Sequence, residues 1–396
     1  MHRWSLVPTL GRDPHQPGRS ATPLELFFDL VFVVAVSLAA QNLHHFISED
    51  HVGTGISRFA MMFFAIWWAW MNFTWYATEF AQEDWLYRLL SLIQMASALV
   101  FAAGVPNAMN DLDFRVAVLG YVIMRLAMSV NWFRVARGTS ENAAFGKRYA
   151  IGIIAVQGLW ILFLTLPESI RPVIFLIFAL FELLVPAIAE RGRSVMWHPH
   201  HVAERYGLFT IIVLGESILA SALAIVHAIE SGHHYADLIL LSITAFIIVA
   251  CMWWIYFAFP QAGQLDTQRK AFLWGYGHYF IFGTAAAFSA GIEVAIDRIT
   301  DSTHVSATLA ALAVCGPVAL FVFICWALLI RGQCSATLNV AMSLAPLAII
   351  LLAFVPGSIY WVALVMIGIA VAINLEPGEA PEVAIVRAGV ERASSG

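Results

Sequence analysis

Two carboxylates stand at the start of an otherwise apolar stretch, "TPLELFFDLVFVVAVS". Glu25 and Asp29 are four residues apart, so on a helix they share one face, with Asp29 about 6 Å further along the axis. A carboxylate exposed to lipid is strongly disfavoured, so both are expected to face protein or water. Capping, with Thr22 as N-cap and Pro23 at the first helical position, could explain Glu25, but Asp29 lies too deep for that role.

A second group of ionisable residues occurs in "HPHHVAERYGLFTIIVLGES". His201 and Glu204 are three residues apart, and Glu216 follows Glu204 by twelve residues, which is about 18 Å of helix. This distance places Glu216 near the middle of a membrane, where an ionisable group is a functional candidate. The alternative is a protonated or hydrogen-bonded carboxyl group that only stabilises helix packing.

The histidines beside Glu204 raise the question of a metal. His198, His200 and His201 supply nitrogen donors at short spacing, but a zinc site needs three or four convergent ligands. Pro199 also prevents the first two histidines from sharing a regular helical turn. The segment is therefore interpreted as the start of a helix at the membrane surface, and neither a metal nor a cofactor is predicted.

Arg125, in "GYVIMRLAMSV", is the natural counter-charge for an acid inside the membrane, because a buried guanidinium must be paired or hydrated. Its candidate partners are Asp29, Glu182 and Glu216, and the sequence does not choose among them. His278 could relay protons or could make a packing hydrogen bond. The candidate binding residues are thus Asp29, Glu216, Arg125, Glu25, Glu204, His201, His278 and Glu182.

Composition identifies the class of protein that must position these residues. The chain is 61% hydrophobic and only 12% charged, and its mean hydropathy is +0.79, whereas soluble domains average about 25% charged residues. We therefore predict an all-α, polytopic integral membrane protein that contacts the lipid bilayer. Nucleic-acid binding is not predicted, because the basic residues are scattered over short loops.

Apolar stretches of about 20 residues can cross a bilayer, and twelve of them are predicted. They run over residues 23–47, 57–79, 86–105, 114–136, 148–166, 171–189, 203–229, 236–259, 270–295, 305–330, 336–353 and 356–375. The last two could instead form a re-entrant hairpin. These spans predict a cytoplasmic segment 1–22, a first half 23–189, a second half 190–375 and a disordered tail 376–396.

The distribution of Lys and Arg predicts orientation, since these residues accumulate on the cytoplasmic side. With alternate loops assigned to opposite sides, sixteen lie on the side of the N-terminus and four on the other. Both termini are therefore predicted to be cytoplasmic, in the bacterial inner membrane. The sixteen include Arg205, which leaves Arg125 as the only basic residue predicted inside the membrane.

Similar segments recur in the same order in the two halves. The stretch beginning at Glu25 aligns with the stretch beginning at Glu204, and each is followed by a span with a tryptophan pair, Trp67–Trp68 and Trp253–Trp254. The third span ends "FAAGVP" and the ninth contains "FSAGIEV". We predict two parallel six-helix repeats, related by an axis along the membrane normal.

The stretches "TPLELFFDLVFVVAVS", "ERYGLFTIIVLGESI", "MWWIYF" and "GHYFIFGTAAAFSAGIEVAI" resemble the bacterial low temperature requirement A (LtrA) protein family over roughly residues 20–375. The resemblance implies a multi-pass bacterial membrane protein, in a family named for a growth phenotype. The first stretch is also similar to the first helix of six-helix-repeat potassium channels, with Phe28 at the serine position, which favours ion conduction.

These observations predict a secondary transporter of an ion or small solute, with proton coupling as one option for its mechanism. Glu216 and Asp29 would change protonation state while Arg125 tunes their pKa values. The alternatives are an ion channel with the same acids lining the pore, and a non-transporting membrane protein or membrane enzyme. An enzyme is not favoured, because the sequence contains no phosphate-binding loop, dinucleotide glycine pattern, serine-nucleophile motif or HExxH motif.

Overall fold

The computed structural model describes residues 8–376, apart from 15, 81–82, 192–196 and 232–233. This part of the chain is all-α and contains no strand. Twelve helices follow in order: α1 Pro23–Ser48, α2 Val52–Phe80, α3 Trp85–Asn110, α4 Arg115–Gly138, α5 Ser140–Phe163, α6 Arg171–Ala189, α7 Pro199–Ser231, α8 Tyr235–Phe257, α9 Gln268–Ile299, α10 Ala307–Cys325, α11 Ala336–Leu352 and α12 Ser358–Asn374. The all-α prediction is confirmed. The predicted tail, from residue 377 onward, lies outside the described residues.

Nine of the helices in the described residues are long and apolar enough to cross a membrane. The apolar helices α11 and α12 are shorter, at 17 residues each. The multi-pass membrane class is therefore confirmed, and twelve complete crossings stay a prediction. Many large apolar side chains lie on the surface of the helices, such as Leu176 and Leu347, as expected for helices in contact with lipid.

Helix starts follow from capping residues in the sequence. Thr22 caps α1, and its backbone N–H donates to Glu25 Oε2 at 2.7 Å while Glu25 N donates to Thr22 Oγ1 at 3.4 Å. This reciprocal pair is a capping box with Pro23 beside it, so the predicted capping role of Glu25 is confirmed. Thr139 caps α5, which explains why that helix begins eight residues before the predicted span.

The chain divides into two compact units, the first ending at Val213 and the second beginning at Leu214, within α7. In the first unit, α3 packs against α4, α4 against α5, and α1 against α2 and α3. In the second unit, α9 packs against α10, α10 against α11, and α8 against α12. The tryptophan pairs differ in environment, because Trp67 and Trp68 are buried whereas Trp253 and Trp254 are 45% and 44% exposed. The duplication stays a prediction.

Close contact between α3 and α4 depends on glycine. A Cβ atom on Gly104 would clash with the backbone of Ala117, and one on Gly120 would lie 2.6 Å from the carbonyl oxygen of Ser97 and close to the backbone N of Phe101. Both contacts involve backbone atoms, which cannot move aside as a flexible side chain can. Small residues at these two positions let the helix backbones approach each other, as is common between membrane helices.

Gly120→Ala is expected to destabilise the protein by about 1–3 kcal/mol, because the added methyl group forces α3 and α4 apart. Gly158→Ala is the matched control, since nothing lies within 4 Å of its added Cβ and alanine is the better helix former. Thermal unfolding of the two purified variants measures the difference. Equal melting temperatures would show that the α3–α4 contact does not depend on Gly120.

Candidate functional site

Five ionisable side chains meet inside the first unit and form what we call the Asp29 network. Its members are Arg19, Glu25, Asp29, His201 and Arg205, and all five are buried. They come from the segment before α1, from α1 itself and from the first two turns of α7. Burial of this much charge is unfavourable unless each group is paired or hydrogen-bonded, so the pairing decides what the network can do.

Asp29 is the most completely paired acid of the network. Arg205 donates from Nε to Asp29 Oδ2 at 3.0 Å and from Nη2 to Oδ1 at 2.5 Å. Trp70 Nε1 donates to the same Oδ1 at 2.7 Å. The bidentate guanidinium and the indole both favour the ionised carboxylate. Trp70 is fixed in turn by stacking on Phe209, with ring centroids 4.3 Å apart.

Glu25 and His201 form a second pair beside the first. His201 Nε2 lies 3.3 Å from Glu25 Oε2, and its Nδ1 contacts the hydroxyl group of Thr78. An imidazole between a carboxylate and a hydroxyl group can hold a proton on either nitrogen or on both. The pair can therefore exchange a proton, which the fully paired Asp29 is less suited to do.

The segment before α1 packs on the first unit and brings Arg19 into the network. Arg19 Nη2 donates to the carbonyl oxygen of Ala77 at 3.0 Å and lies 3.7 Å from Glu25 Oε1. Burial lowers the pKa of Arg19 from its ordinary value, and the nearby charge of Arg12 lowers it further. Arg12 N also donates to the Glu79 carbonyl oxygen at 2.9 Å, so the segment is held at two points on α2.

The network follows from matched spacing on two helices. Glu25 and Asp29 are the third and seventh residues of α1, and His201 and Arg205 are the third and seventh residues of α7. Residues four apart share one helix face. Glu25 therefore meets His201 and Asp29 meets Arg205, about 3 and 9 Å from the helix starts at 1.5 Å per residue.

Part of the network lacks hydrogen bonds. Glu25 Oε1, Arg205 Nη1 and Arg19 Nε are buried and make no hydrogen bond to any residue that the structure describes. Arg205 Nη1 lies 3.4 Å from Glu25 Oε1, close enough for attraction between the charges but without hydrogen-bond geometry. Three buried polar atoms of the network, one of them the carboxylate oxygen Glu25 Oε1, thus retain unused hydrogen-bonding capacity, which is unfavourable in a buried site.

Glu182 of α6 is the centre of a separate cluster in the first unit, which we call the Glu182 cluster. The other members are Trp68, Tyr121, Arg125, Gln157 and Trp160. Trp68 and Arg125 donate to Oε2, each at 2.9 Å. Tyr121, Gln157 and Trp160 donate to Oε1 at 3.0, 3.1 and 3.2 Å. A carboxylate has about four acceptor sites, so five donors satisfy this one completely.

The structure thereby chooses among the predicted partners of Arg125. The partner is Glu182, and the predicted alternative Asp29 is paired with Arg205 instead. Arg125 consequently belongs to the Glu182 cluster and does not tune Asp29. The cluster joins α2, α4, α5 and α6 through one carboxylate, and we interpret it as structural because Glu182 has no spare acceptor for a ligand.

The remaining predicted residues are members of neither cluster. Glu204 is half-buried and accepts a hydrogen bond from Ala21 N at 3.2 Å. Glu216 lies in the second unit, half-buried on α7, and its predicted role in coupling stays a prediction. His278 is buried in the second unit, with Nε2 3.0 Å from the Tyr256 hydroxyl and Nδ1 2.7 Å from the Trp274 carbonyl oxygen, the arrangement expected of a packing histidine.

Two residues of the Asp29 network were assigned by sequence to the cytoplasmic loops. Arg205 is fully buried on α7, a helix long and apolar enough to span a membrane, and that Arg125 is the only basic residue inside the membrane stays a prediction. The helix begins at Pro199, four residues before the predicted span, so Arg205 lies almost two turns inside it. The spacing of His201 and Arg205, identical to that of Glu25 and Asp29, was the signal available in the sequence.

Comparison with known proteins identifies a bacterial protein family. The family model for the bacterial low temperature requirement A protein (LtrA) matches residues 20–373. An uncharacterized protein of Rhizobium meliloti (strain 1021) is 29% identical over an alignment of 278 residues, and the match covers 65% of this chain and 65% of that protein. The match thus spans slightly less than two thirds of the relative. The Glu182 cluster and four of the five residues of the Asp29 network lie within the region that the family model matches, and Arg19 directly precedes that region.

Proposed function

We propose that this chain, which belongs to the bacterial low temperature requirement A protein family, is a proton-coupled secondary transporter of an ion or small solute. The observation that carries the proposal is the Asp29 network, in which two acids, two arginines and a histidine are buried together at the ends of membrane helices. Ionisable groups inside membrane segments are disfavoured and commonly mark ion and proton pathways.

The charges of the network support a coupling role. With His201 neutral, two guanidinium groups balance two carboxylates, so the resting network has no net charge. A proton taken up by the Glu25–His201 pair leaves one positive charge in a buried site, which weakens the attraction between Glu25 and the two arginines. Protonation would therefore loosen the contact between α1 and α7, as a transporter needs if it is to change conformation with proton binding.

The mechanism differs from the one that the sequence suggested. Arg205 replaces Arg125 as the counter-charge of Asp29, and the Glu25–His201 pair replaces Asp29 as the group that exchanges a proton. Rocking of two parallel six-helix halves remains part of the proposal, as does an additional coupling role for Glu216.

Two alternatives to a transporter predict different results in a liposome flux experiment. An ion channel would line a static pore with these charges, and the similarity of the first helix to potassium channels favours it. A non-transporting membrane protein or membrane enzyme would use the network only for stability.

In the experiment, the purified protein is reconstituted in liposomes that contain a pH-sensitive dye. A pH gradient is then imposed, with the membrane potential either clamped or free.

A transporter predicts proton movement that saturates and depends on a co-transported solute. A channel predicts a flux set by the membrane potential and by ion concentration alone. If no proton or ion flux exceeds that of empty liposomes under any gradient or candidate solute tested, the transport proposal is wrong.

Orientation gives an independent prediction. The distribution of Lys and Arg predicts both termini in the cytoplasm, so reporter fusions at residues 50, 140 and 396 should be located outside, inside and inside. Fusions at residues 23 and 199, the starts of α1 and α7, would both be inside, which places the Asp29 network near the cytoplasmic surface. A reporter that is external at residue 140 or 396 would contradict the orientation.

A further inference from the structure

We infer that the Asp29 network binds a small monovalent anion, which takes the place of the Glu25 carboxylate between Arg19 and Arg205 when the Glu25–His201 pair takes up a proton. The inference rests on the proposed function and names the class of substrate. It is carried by the geometry of the two guanidinium groups around a single carboxylate oxygen.

Glu25 Oε1 occupies a position suited to an anion. It lies 3.4 Å from Arg205 Nη1 and 3.7 Å from Arg19 Nη2, yet it accepts no hydrogen bond from the described residues. Arg205 Nη1 and Arg19 Nε are buried donors that also make no hydrogen bond within the described part of the chain. Buried donors without acceptors favour an anionic acceptor that comes within their reach.

Arg205 can hold an anion without releasing Asp29. Its Nε and Nη2 atoms are occupied by the two oxygens of Asp29, and only Nη1 remains directed at Glu25. One edge of the guanidinium is thus structural and the other is available. The available space is that of a displaced side-chain carboxylate, which fits formate or a halide ion and excludes a large solute.

Charge balance selects an anion over a cation. The resting network is neutral, and one added proton leaves a single positive charge. A monovalent anion restores neutrality, whereas a bound cation would raise the buried charge to two, which is strongly disfavoured in a low-dielectric site. Anion and proton therefore promote each other's binding, and by linkage each raises the affinity for the other by the same factor.

The charged and titratable groups around Glu25 come from the N-terminal segment and three helices. The N-terminal segment contributes Arg19, α7 contributes His201 and Arg205, α3 contributes Tyr87, and α2 contributes Thr78, which does not titrate. Arginine and tyrosine have ordinary pKa values far above neutral. Asp29 accepts three hydrogen bonds, which favour its ionised form. The Glu25–His201 pair is thus the group at this site that can take up a proton, and its two members titrate as a pair.

Isothermal titration of the purified protein with formate and, separately, with bromide tests the inference. Titrations in buffers of different ionisation enthalpy count the protons taken up with each anion. We expect about one proton per anion and an affinity that rises up to about tenfold for each unit of decrease in pH. Formate and bromide together distinguish a site for carboxylates from a site for any small anion.

Glu25→Gln is the informative variant, since glutamine keeps the volume and can maintain the capping box with Thr22. It removes the competing negative charge at every pH, so anion binding should persist without proton uptake and without pH dependence. Arg19→Gln should weaken binding at least tenfold, whereas Arg115→Gln, on a side chain that is 78% exposed, should not change it.

Binding by the parent protein without proton uptake, loss of binding in folded Glu25→Gln, or no binding of either anion would overturn the inference. These outcomes are separable from failure of the proposed function. If the protein shows proton flux in liposomes but binds neither anion, the transport proposal is supported and the anion site is contradicted. If it binds an anion together with a proton but shows no flux, the anion site is supported and the transport proposal is contradicted.

Discussion

Arg205→Met is expected to destabilise the protein by about 3–5 kcal/mol, because it leaves Asp29 and Glu25 buried without their main counter-charge. Arg205 is fully buried and supplies two of the three hydrogen bonds to Asp29. Methionine fills a similar volume, so the loss is electrostatic and not a packing defect. The measurement is thermal or denaturant unfolding of the variant in detergent, with Arg88→Met as the control, since Arg88 is 59% exposed.

The double variant Asp29→Leu/Arg205→Met separates stability from function. Replacement of a buried ion pair by apolar residues is often neutral or stabilising, so we expect the double variant to recover much of the stability that Arg205→Met loses. Transport should be lost in both variants, because Arg205 no longer lies beside the Glu25–His201 pair. If Arg205→Met alone is as stable as the parent protein, Arg205 is not paired with Asp29 as described.

Glu182→Ala is expected to have an effect of similar size, about 3–5 kcal/mol, for a different reason. The substitution leaves Arg125 buried and removes the acceptor of five hydrogen bonds that join α2, α4, α5 and α6. Unfolding of Glu182→Ala is compared with that of Glu168→Ala. Glu168 is 65% exposed beside the start of α6, so its loss should change stability by less than about 0.5 kcal/mol.

If the Glu182 cluster is structural, the variant Glu182→Gln should lose stability but keep its transport activity. Glu182→Gln keeps the volume but turns one oxygen into a donor that faces other donors, so an intermediate loss of stability is expected. The folded fraction of this variant should retain proton flux. Loss of flux at unchanged stability would place Glu182 in the transport pathway and contradict the structural interpretation.

The sequence predicts the helices well because each one carries a strong local signal. Apolar length, Thr22 and Thr139 as caps, and Pro23 after the first cap all act within a few residues of the helix start. The described helices agree with the predicted spans to within a few residues at most ends. The start of α5 is an exception, since its first turns are too polar to be included in an apolar window.

The network was only partly predictable, because it joins residues about 180 positions apart in the chain. Glu25, Asp29 and His201 are identifiable as charged groups at the start of apolar stretches. Arg205 was missed because counting Lys and Arg by loops assigns a basic residue at a helix start to the aqueous side. Arg19 was missed because a polar segment with proline and glycine predicts nothing about burial. Their pairing requires contacts between α1, α7 and the N-terminal segment that no local pattern encodes.

The most direct test is proton flux into liposomes that contain the parent protein or Glu25→Gln, with Asp266→Asn as the control. Asp266 is a 53% exposed acid paired with Lys270. If the Glu25–His201 pair carries the coupled proton, the parent and the control should show equal, pH-dependent flux, and Glu25→Gln should lose proton flux at unchanged melting temperature. Full, pH-dependent proton flux by folded Glu25→Gln would show that the Asp29 network is not the coupling site.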